Sequence, residues 1–256
     1  MVSITISDAV VQYPVYASGG QRSILSAAAN RVSFGRVARE AGRIPTVTAL
    51  NGVSVDLKEG DRLALFGRNG SGKTTFLKMC AGLVLPNAGS AEINGTRAAI
   101  INPGSGLDVD KTGFENIEYI GRLLGVRKAE RKLLVEDVAD FTELGDFLSL
   151  PVRTYSSGMT VRLLFALATS IERDILIVDE IIGAGDALFM EKAAKRVRSM
   201  FSRAKILVLA THSGEVAEQL CTSALWINSG KAMMAGKPSD VWDAYVHQRP
   251  PLDAVA

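Results

Sequence analysis

Short apolar runs recur along the chain, and the most regular of them predict strands. Residues 175–178 are wholly apolar and rich in β-branched side chains, which is typical of a strand buried on both faces of a parallel sheet. The N-terminal part of the chain is also rich in strand signals. The predicted strands there and beyond are residues 2–12, 46–57, 62–66, 97–101, 175–179 and 205–210.

The pattern becomes helical between residues 112 and 170. Thr112 and Glu115 have the spacing of a capping box, so a helix is predicted to begin there. Residues 128–144 are charged and amphipathic, as expected of a surface helix. Further helices are predicted to begin at Gly158, Asp186, Ser213 and Ser239, and residues 223–227 and 231–235 form a predicted hairpin. Residues 81–95 are a turn-rich connection, in which Asn94 and Gly95 predict a hairpin turn.

This order of elements predicts an α/β protein. Strands alternate with helices through most of the chain, which favours a doubly wound, mostly parallel sheet. An N-terminal antiparallel β piece precedes that core, and the helical stretch of about residues 112–170 is an inserted α-helical subdomain. We expect residues 1–256 to form a single domain.

Composition narrows the class of protein. The net charge of +2 is too small to indicate a nucleic-acid partner. Cys80 and Cys221 lie in apolar stretches, so they are interpreted as small buried residues, in keeping with a reducing cytosol. The sequence contains neither a membrane-spanning apolar run nor the features of a signal peptide.

A glycine-rich phosphate loop lies between the strand 62–66 and a helix from Lys73. It has the complete pattern G-x-x-x-x-G-K-[ST], whose backbone N–H groups cradle a β-phosphate at a helix N-terminus. Gly67, Gly70 and Gly72 permit positive φ and a close approach of the backbone. Lys73 is predicted to reach the β- and γ-phosphates, and the Thr74 hydroxyl to bind Mg²⁺. The predicted ATP-binding residues of the loop are Gly67, Asn69, Gly70, Ser71, Gly72, Lys73, Thr74 and Thr75.

Two adjacent carboxylates follow the buried strand 175–178. Asp179 and Glu180 are expected at the carboxyl edge of the sheet, where ligands bind in open α/β folds. Two adjacent carboxylates repel each other, so their presence indicates a bound cation or a role in a reaction. Asp179 is predicted to bind Mg²⁺, through water, and Glu180 to act as the general base that polarises the attacking water.

The segment Ser156-Ser157-Gly158 before a helix resembles the signature motif of ATP-binding cassette proteins. The resemblance covers Ser156 and Gly158, whereas Tyr155, Ser157 and Met159 depart from the usual Leu-Ser-Gly-Gly-Gln. In this family two cassettes pair head to tail, and each signature motif covers the ATP held by the other cassette. The resemblance therefore implies a second copy of the chain as a partner, with Ser156 and Gly158 on its nucleotide.

Other positions acquire roles through the same resemblance. His212 resembles the family's switch histidine, which contacts the γ-phosphate and orients the water, and residues 183–186, ending in Asp186, resemble the loop that crosses the dimer interface. Asn102 stands where most cassettes carry glutamine, and its shorter side chain still offers an oxygen to Mg²⁺ or water. Tyr13 or Tyr16 is a candidate to stack on adenine, and the sequence does not choose between them or against core packing.

Finer resemblance points to a subfamily. Residues 102–106, 112–117, 153–159 and 179–186 together look like the ATPase subunits of O-antigen, capsule and teichoic acid exporters. This implies a transmembrane permease as partner, a lipid-linked polysaccharide as the indirect substrate, and a peripheral position at the cytoplasmic face of the inner membrane. The alternatives are the ATPase of another exporter or importer, and a soluble cassette protein without a transport role.

Residues 17–45 are a basic insert that is unusual for a cassette. The insert carries five arginines against the single acid Glu40: Arg22, Arg31, Arg36, Arg39 and Arg43. Two interpretations have equal weight. The insert either faces phospholipid headgroups or the lipid pyrophosphate of a substrate, or it is a solvated surface loop.

Overall fold

The computed structural model describes residues 1–15, 37–38, 45–101, 107–179 and 187–248, with backbone alone at 37–38, 187–188 and 190. Chain contacts divide it into two compact units. Unit 1 comprises Met1–Gly95, Ile177–Glu180 and Lys205–Ala256, and unit 2 comprises Thr96–Leu176 and Ile181–Ala204, in each case as far as these ranges are described.

The strands and helices follow the predicted order closely. The strands are β1 Ser3–Pro14, β2 Val37–Ala38, β3 Thr46–Lys58, β4 Arg62–Phe66, β5 Ala88–Asn94, β6 Arg97–Ile100, β7 Ile175–Asp179, β8 Ile206–Ala210, β9 Ser223–Asn228 and β10 Lys231–Gly236. The α-helices are α1 Lys73–Cys80, α2 Gly113–Leu123, α3 Arg131–Thr142, α4 Ser157–Thr169, α5 Ala187–Arg203, α6 Gly214–Leu220 and α7 Pro238–Val246. Short 3-10 helices cover Gly145–Ser149 and Val152–Thr154.

Unit 1 contains an antiparallel sheet with the strand order β2-β3-β1-β5. β1 pairs with β3 over most of its length, from Ser3 opposite Lys58 to Pro14 opposite Thr46. Ile4 and Ile6 are buried while Ser7 and Asp8 are exposed, so one face of β1 contributes to the core. This sheet is the predicted N-terminal β piece.

The second sheet has the strand order β10-β9-β4-β8-β7-β6. The strands β10, β9, β4 and β8 belong to unit 1 and β6 belongs to unit 2, while the residues of β7 are divided between the two units. β4 pairs in parallel with β8 on one side and β9 on the other. Leu63 to Phe66 and the whole of β8 are buried, because a central parallel strand has no face toward water. The strand before the phosphate loop and residues 175–179 therefore lie in one sheet, in agreement with the predicted doubly wound core.

Unit 2 is mainly helical, and its helices surround an apolar core. Thr112 caps α2 as predicted: its side chain accepts from the Glu115 backbone N–H, and the Glu115 carboxylate accepts from the Thr112 backbone N–H. Stacked and edge-on contacts join three rings from α3, α4 and α5, namely Phe141, Phe165 and Phe189. These contacts hold the three helices as one body.

Two local predictions were wrong. The sequence predicts a connection over residues 81–95, but they contain β5, an edge strand that pairs with β1. Asn94 and Gly95 were predicted to form a hairpin turn, but they join β5 of one sheet to β6 of the other. β5 has few apolar residues and is largely exposed, so its side chains gave no strand signal.

Both cysteines are free and buried, as predicted. Burial raises the pKa of the Cys80 thiol far above its usual value and the pKa of the Cys221 thiol to about 12. Both thiols therefore stay protonated at neutral pH and are poor nucleophiles and metal ligands. Across the described residues, no helix is both long and apolar enough to span a bilayer.

Candidate active site

The phosphate loop of unit 1 has the backbone that its glycines predict. Gly67, Gly70 and Gly72 have φ values of 154°, 76° and 117°, and α1 begins immediately afterwards at Lys73. A β-carbon on Gly72 would lie 2.6 Å from the Ala49 carbonyl oxygen, and one on Gly67 would collide with the Ile227 carbonyl oxygen. The loop is therefore pressed between β3 and β9, and only glycine fits at these two positions.

Lys73 is folded back over the phosphate loop. Its ammonium donates hydrogen bonds to the carbonyl oxygens of Gly67 and Arg68, and the side chain is buried. A buried ammonium requires such partners. The same group is thereby held beside the backbone N–H groups that would cradle a phosphate, so an arriving phosphate meets a cation that is already positioned.

Thr74 and Asp179 lie together at the end of β7. The Thr74 hydroxyl donates a hydrogen bond of 2.9 Å to the Asp179 carboxylate. The two side chains come from positions 105 residues apart, and both were predicted to bind Mg²⁺. A hydroxyl and a carboxylate oxygen are donors of the type that Mg²⁺ prefers, so these residues fit that ion.

His212 follows the end of β8, the strand that pairs with β4, and β4 leads into the phosphate loop. β8 pairs in parallel with β4, with Ala210 opposite Leu65, and the Thr211 backbone N–H donates to the Leu65 carbonyl. His212 itself is exposed, and Ser213 then caps α6 by accepting from the Val216 backbone N–H. The imidazole is thus accessible at the same edge of the sheet as the phosphate loop.

The turn between β9 and β10 braces the phosphate loop, and sequence reasoning missed this. The Gly230 backbone N–H donates to the Ser71 carbonyl at 2.7 Å, and its carbonyl accepts from the Asn51 backbone N–H at 2.8 Å. Ser229 and Gly230 both have positive φ, as in a type I′ turn. The residue pair Ser229-Gly230 signals the turn in the sequence but not the contact it makes.

The predicted signature segment lies in unit 2 at the start of α4. The Ser156 hydroxyl accepts from the Met159 backbone N–H at 3.2 Å, and Ser156, Ser157 and Gly158 are all exposed. A β-carbon on Gly158 would meet only the Ser156 hydroxyl oxygen, at 3.9 Å. The segment therefore presents a helix N-terminus, with its N–H groups and partial positive charge, to solvent.

The remaining predicted site residues divide into two groups. Within the described chain, Asn69 is exposed in the phosphate loop, Ser71 is buried, Thr75 is half-buried in α1, and Tyr13 is exposed on β1. Tyr16, Asn102, Glu180 and Asp186, together with nearly all of the basic insert, lie outside the described residues. The roles assigned to them stay predictions.

Comparison with known proteins identifies the family. The family model described as "ABC transporter" matches residues 50–183, which include the phosphate loop, the signature segment, Asp179 and Glu180. The chain belongs to the ABC transporter family. Members of this family bind and hydrolyse ATP, so the chain is an ABC-type ATPase.

Relatives of this ABC ATPase include subunits of export systems. The O-antigen export system ATP-binding protein RfbE of Yersinia enterocolitica is 40% identical over 230 residues, covering 90% of this chain and 96% of the relative. RfbB of Myxococcus xanthus, another O-antigen export ATP-binding protein, is 40% identical over 207 residues. The teichoic acids export ATP-binding protein TagH of Bacillus anthracis is 38% identical over 197 residues. The chain spans only 47% of this RfbB and 36% of this TagH.

Solved structures confirm the fold of the ABC ATPase. An ATP-binding subunit of an ABC transporter superposes with a TM-score of 0.68 at 21% identity, covering 98% of this chain and 95% of that one. The cassette MJ0796, whose structure is a dimer in a post-hydrolysis state bound to ADP and Pi, superposes with a TM-score of 0.67 at 18% identity, covering 92% and 98%.

Proposed function

We propose that this ABC ATPase is the ATP-hydrolysing subunit of a transporter that exports a lipid-linked polysaccharide of the O-antigen or capsule type. The observation that carries the proposal is the 40% identity to the Yersinia O-antigen export subunit across nearly the full length of both chains. The chain would act at the cytoplasmic face of the inner membrane, bound to a transmembrane permease. Closure of two ATPase subunits on ATP and their reopening after hydrolysis would drive export.

ATP binding begins at the phosphate loop. The backbone N–H groups at the start of α1 bind the β-phosphate, and Lys73 turns from its loop carbonyls toward the β- and γ-phosphates. Thr74, and Asp179 through water, would hold Mg²⁺, in keeping with the contact between the two side chains. When bound, that ion would neutralise the charge that develops on the phosphate oxygens.

Hydrolysis uses residues at the carboxyl edge of the sheet. Glu180, next to Asp179, accepts a proton from the attacking water. His212 orients that water and contacts the γ-phosphate; its exposure beside the strand of the phosphate loop supports this role. Ser156 and Gly158 of a second copy cover the same ATP head to tail, and Asp186 crosses the interface between the copies.

Tyr13 is the better supported of the two adenine candidates. It lies opposite Val47 in the pairing of β1 with β3, and Ala49, two residues further along β3, has its carbonyl against Gly72 of the phosphate loop. Tyr13 is 38% exposed, so it is not part of the buried core. An exposed ring near the loop is free to stack on a base.

Replacing Tyr13 with alanine should weaken ATP binding by about 1–3 kcal/mol, the usual contribution of one stacked base. Tyr13→Phe should bind as the wild type does, because stacking requires only the ring. Affinity is measured by titration with a fluorescent ATP analogue, and Tyr119→Ala, an exposed tyrosine of α2, serves as the control. Unchanged affinity in Tyr13→Ala would transfer the stacking role to Tyr16.

A membrane partner is supported by the surface of α2. Tyr119 and Leu123 are 42% and 67% exposed, and residues four apart are neighbours on one face of a helix. The Lys111 ammonium lies 4.8 Å from the centre of the Tyr119 ring, so a cation borders these apolar side chains. We propose this face of α2 as the surface that contacts the permease.

Deletion of the gene should remove the polysaccharide from the cell surface and leave its lipid-linked form inside the cell. The wild-type gene should restore export, whereas Lys73→Ala should not, because the phosphate loop loses its only buried cation among the described residues. Lys132→Ala, at an exposed position of α3, is the matched control and should restore export fully. Surface and lipid-linked polysaccharide are measured separately after fractionation. A normal amount of surface polysaccharide in the deletion strain would contradict the proposed substrate. It would not contradict the assignment of the chain as an ATPase.

A further inference from the structure

An aromatic cluster lies directly beneath the phosphate loop in unit 1. Phe66, the last residue of β4, is fully buried, and its ring centroid lies 5.1 Å from that of Trp242 and 6.0 Å from that of Tyr245, both in α7. Trp226 of β9 meets Tyr245 edge-on at 6.0 Å. Phe66 is followed immediately by Gly67, so the cluster supports the point at which the phosphate loop begins.

The same Trp242 also supports the helix that follows His212. A β-carbon placed on Gly214 would lie 2.6 Å from both Cδ1 and Nε1 of Trp242 and 2.7 Å from its Cδ2. The indole therefore lies flat against the first residue of α6, closer than any side chain would allow. Gly214 is two residues after His212 and does not have a left-handed backbone, so its lack of a side chain is needed for space alone.

Trp242 therefore contacts a residue next to the phosphate loop and a residue close to His212, two of the parts of the ATP site that lie in unit 1. On one side it touches Phe66, which is continuous with the phosphate loop, and on the other it fixes the start of α6, where Ser213 caps the helix next to His212. α7 also packs against β4, β9 and β10, so the indole has a rigid base. Gly230, in the turn between β9 and β10, also donates a hydrogen bond to Ser71 of the phosphate loop.

We propose that Trp242 is a positioning residue, which holds His212 in register with the phosphate loop through its contact with Gly214. The proposal rests on the role in hydrolysis proposed above for His212. The phosphate loop and α6 are separate elements, so a displaced α6 should impair turnover and leave ATP affinity intact. Displacements of about 1 Å at a reacting group cost on the order of a hundredfold in rate.

The test begins with Gly214→Ala, whose methyl group must push the indole and α6 apart. We expect kcat to fall roughly ten- to a hundredfold, with the affinity for a fluorescent ATP analogue unchanged. Gly236→Ala is the matched control. Its β-carbon would meet only Val241 Cγ2, at 3.8 Å, so its kcat should equal that of the wild type.

Two double variants separate positioning from general stability. Gly214→Ala added to Trp242→Leu should cause no loss beyond that of Trp242→Leu alone, because the smaller side chain leaves room for the methyl group. Gly214→Ala added to His212→Ala should likewise cause no further loss, because the effect acts through a side chain that is already absent. If the fold-losses in kcat of the two single variants multiplied in either double variant, the proposal would be overturned.

Single variants distinguish the two levels of the argument. Wild-type turnover in His212→Ala would contradict the proposed role of the histidine itself. Impaired turnover in His212→Ala beside normal turnover in Gly214→Ala would contradict only the positioning role. If Gly214→Ala does not fold, Trp242→Leu still tests the inference, because it removes the contact with Gly214 without adding a group. Tyr245 still stacks on Phe66 below the phosphate loop, so kcat should fall at unchanged ATP affinity. Normal kcat in that variant would overturn the proposal.

Discussion

Replacing Glu180 with glutamine should suppress ATP turnover while leaving ATP binding intact. Glutamine keeps the shape and hydrogen bonding of the side chain but cannot accept a proton from the attacking water. General-base catalysis contributes about 10²–10⁴ in rate, so a loss of that size is expected in kcat. Because hydrolysis no longer reopens the dimer, the closed form with two copies should accumulate in the presence of MgATP.

The measurements are steady-state phosphate release and oligomeric state by size-exclusion chromatography with and without MgATP. Glu136→Gln is a matched control, since it makes the same chemical change at an exposed position of α3, where Glu136 pairs only with Lys132 among the described residues. The control should keep wild-type turnover and should not accumulate dimer. Turnover at the wild-type rate in Glu180→Gln would remove Glu180 from the role of base and leave Asp179 as the remaining acid at that edge.

The parts of the fold that the sequence predicted well are those with strong local signals. β4 and β7 have the predicted bounds because each is built on an uninterrupted run of four apolar residues, which is followed by a glycine-rich loop or by an acid. The start of α2 was predicted because Thr112 and Glu115 satisfy each other's backbone groups within one turn. In these elements the local sequence and the tertiary fold favour the same conformation.

The parts that were missed depend on contacts between distant residues. β5 is a strand because β1 offers it a hydrogen-bonding edge, and its own alternation is confined to Ala91 and Ile93, too short to predict a strand. Residues 223–227 and 231–235 predict a hairpin, but the contact of Gly230, in its turn, with Ser71 joins positions far apart in the chain. Trp242 likewise has no local signal that places it against Gly214 and Phe66. Residue types and spacing identified the chemistry of the phosphate loop, whereas the packing that positions it became visible only in the structure.

A carboxylate at position 158 should abolish ATP-driven dimerisation without weakening ATP binding to a single copy. Gly158 lies in the exposed first turn of α4, in the segment proposed to cover the γ-phosphate held by the other copy. In Gly158→Asp the new charge would face that phosphate in a partly desolvated site. At about 4 Å and an effective dielectric constant of about 20, such a repulsion is on the order of 4 kcal/mol. Dimer formation and turnover should both be lost.

The structure makes this substitution a clean test of the head-to-tail arrangement. A β-carbon at position 158 meets only the Ser156 hydroxyl oxygen, at 3.9 Å, so the side chain fits the isolated subunit without strain. An acid in the first turn of a helix is moreover stabilising, so the melting temperature should not fall.

Gly158→Ala is the matched control: it adds the β-carbon without the charge, and it should dimerise far better than Gly158→Asp. Binding of a fluorescent ATP analogue to the monomer, which depends on Lys73 and the phosphate loop, should be equal in all three proteins. Loss of that binding in Gly158→Asp, with the loop intact, would mean that the signature segment contacts the ATP of its own subunit and would contradict the arrangement in which each copy completes the site of the other.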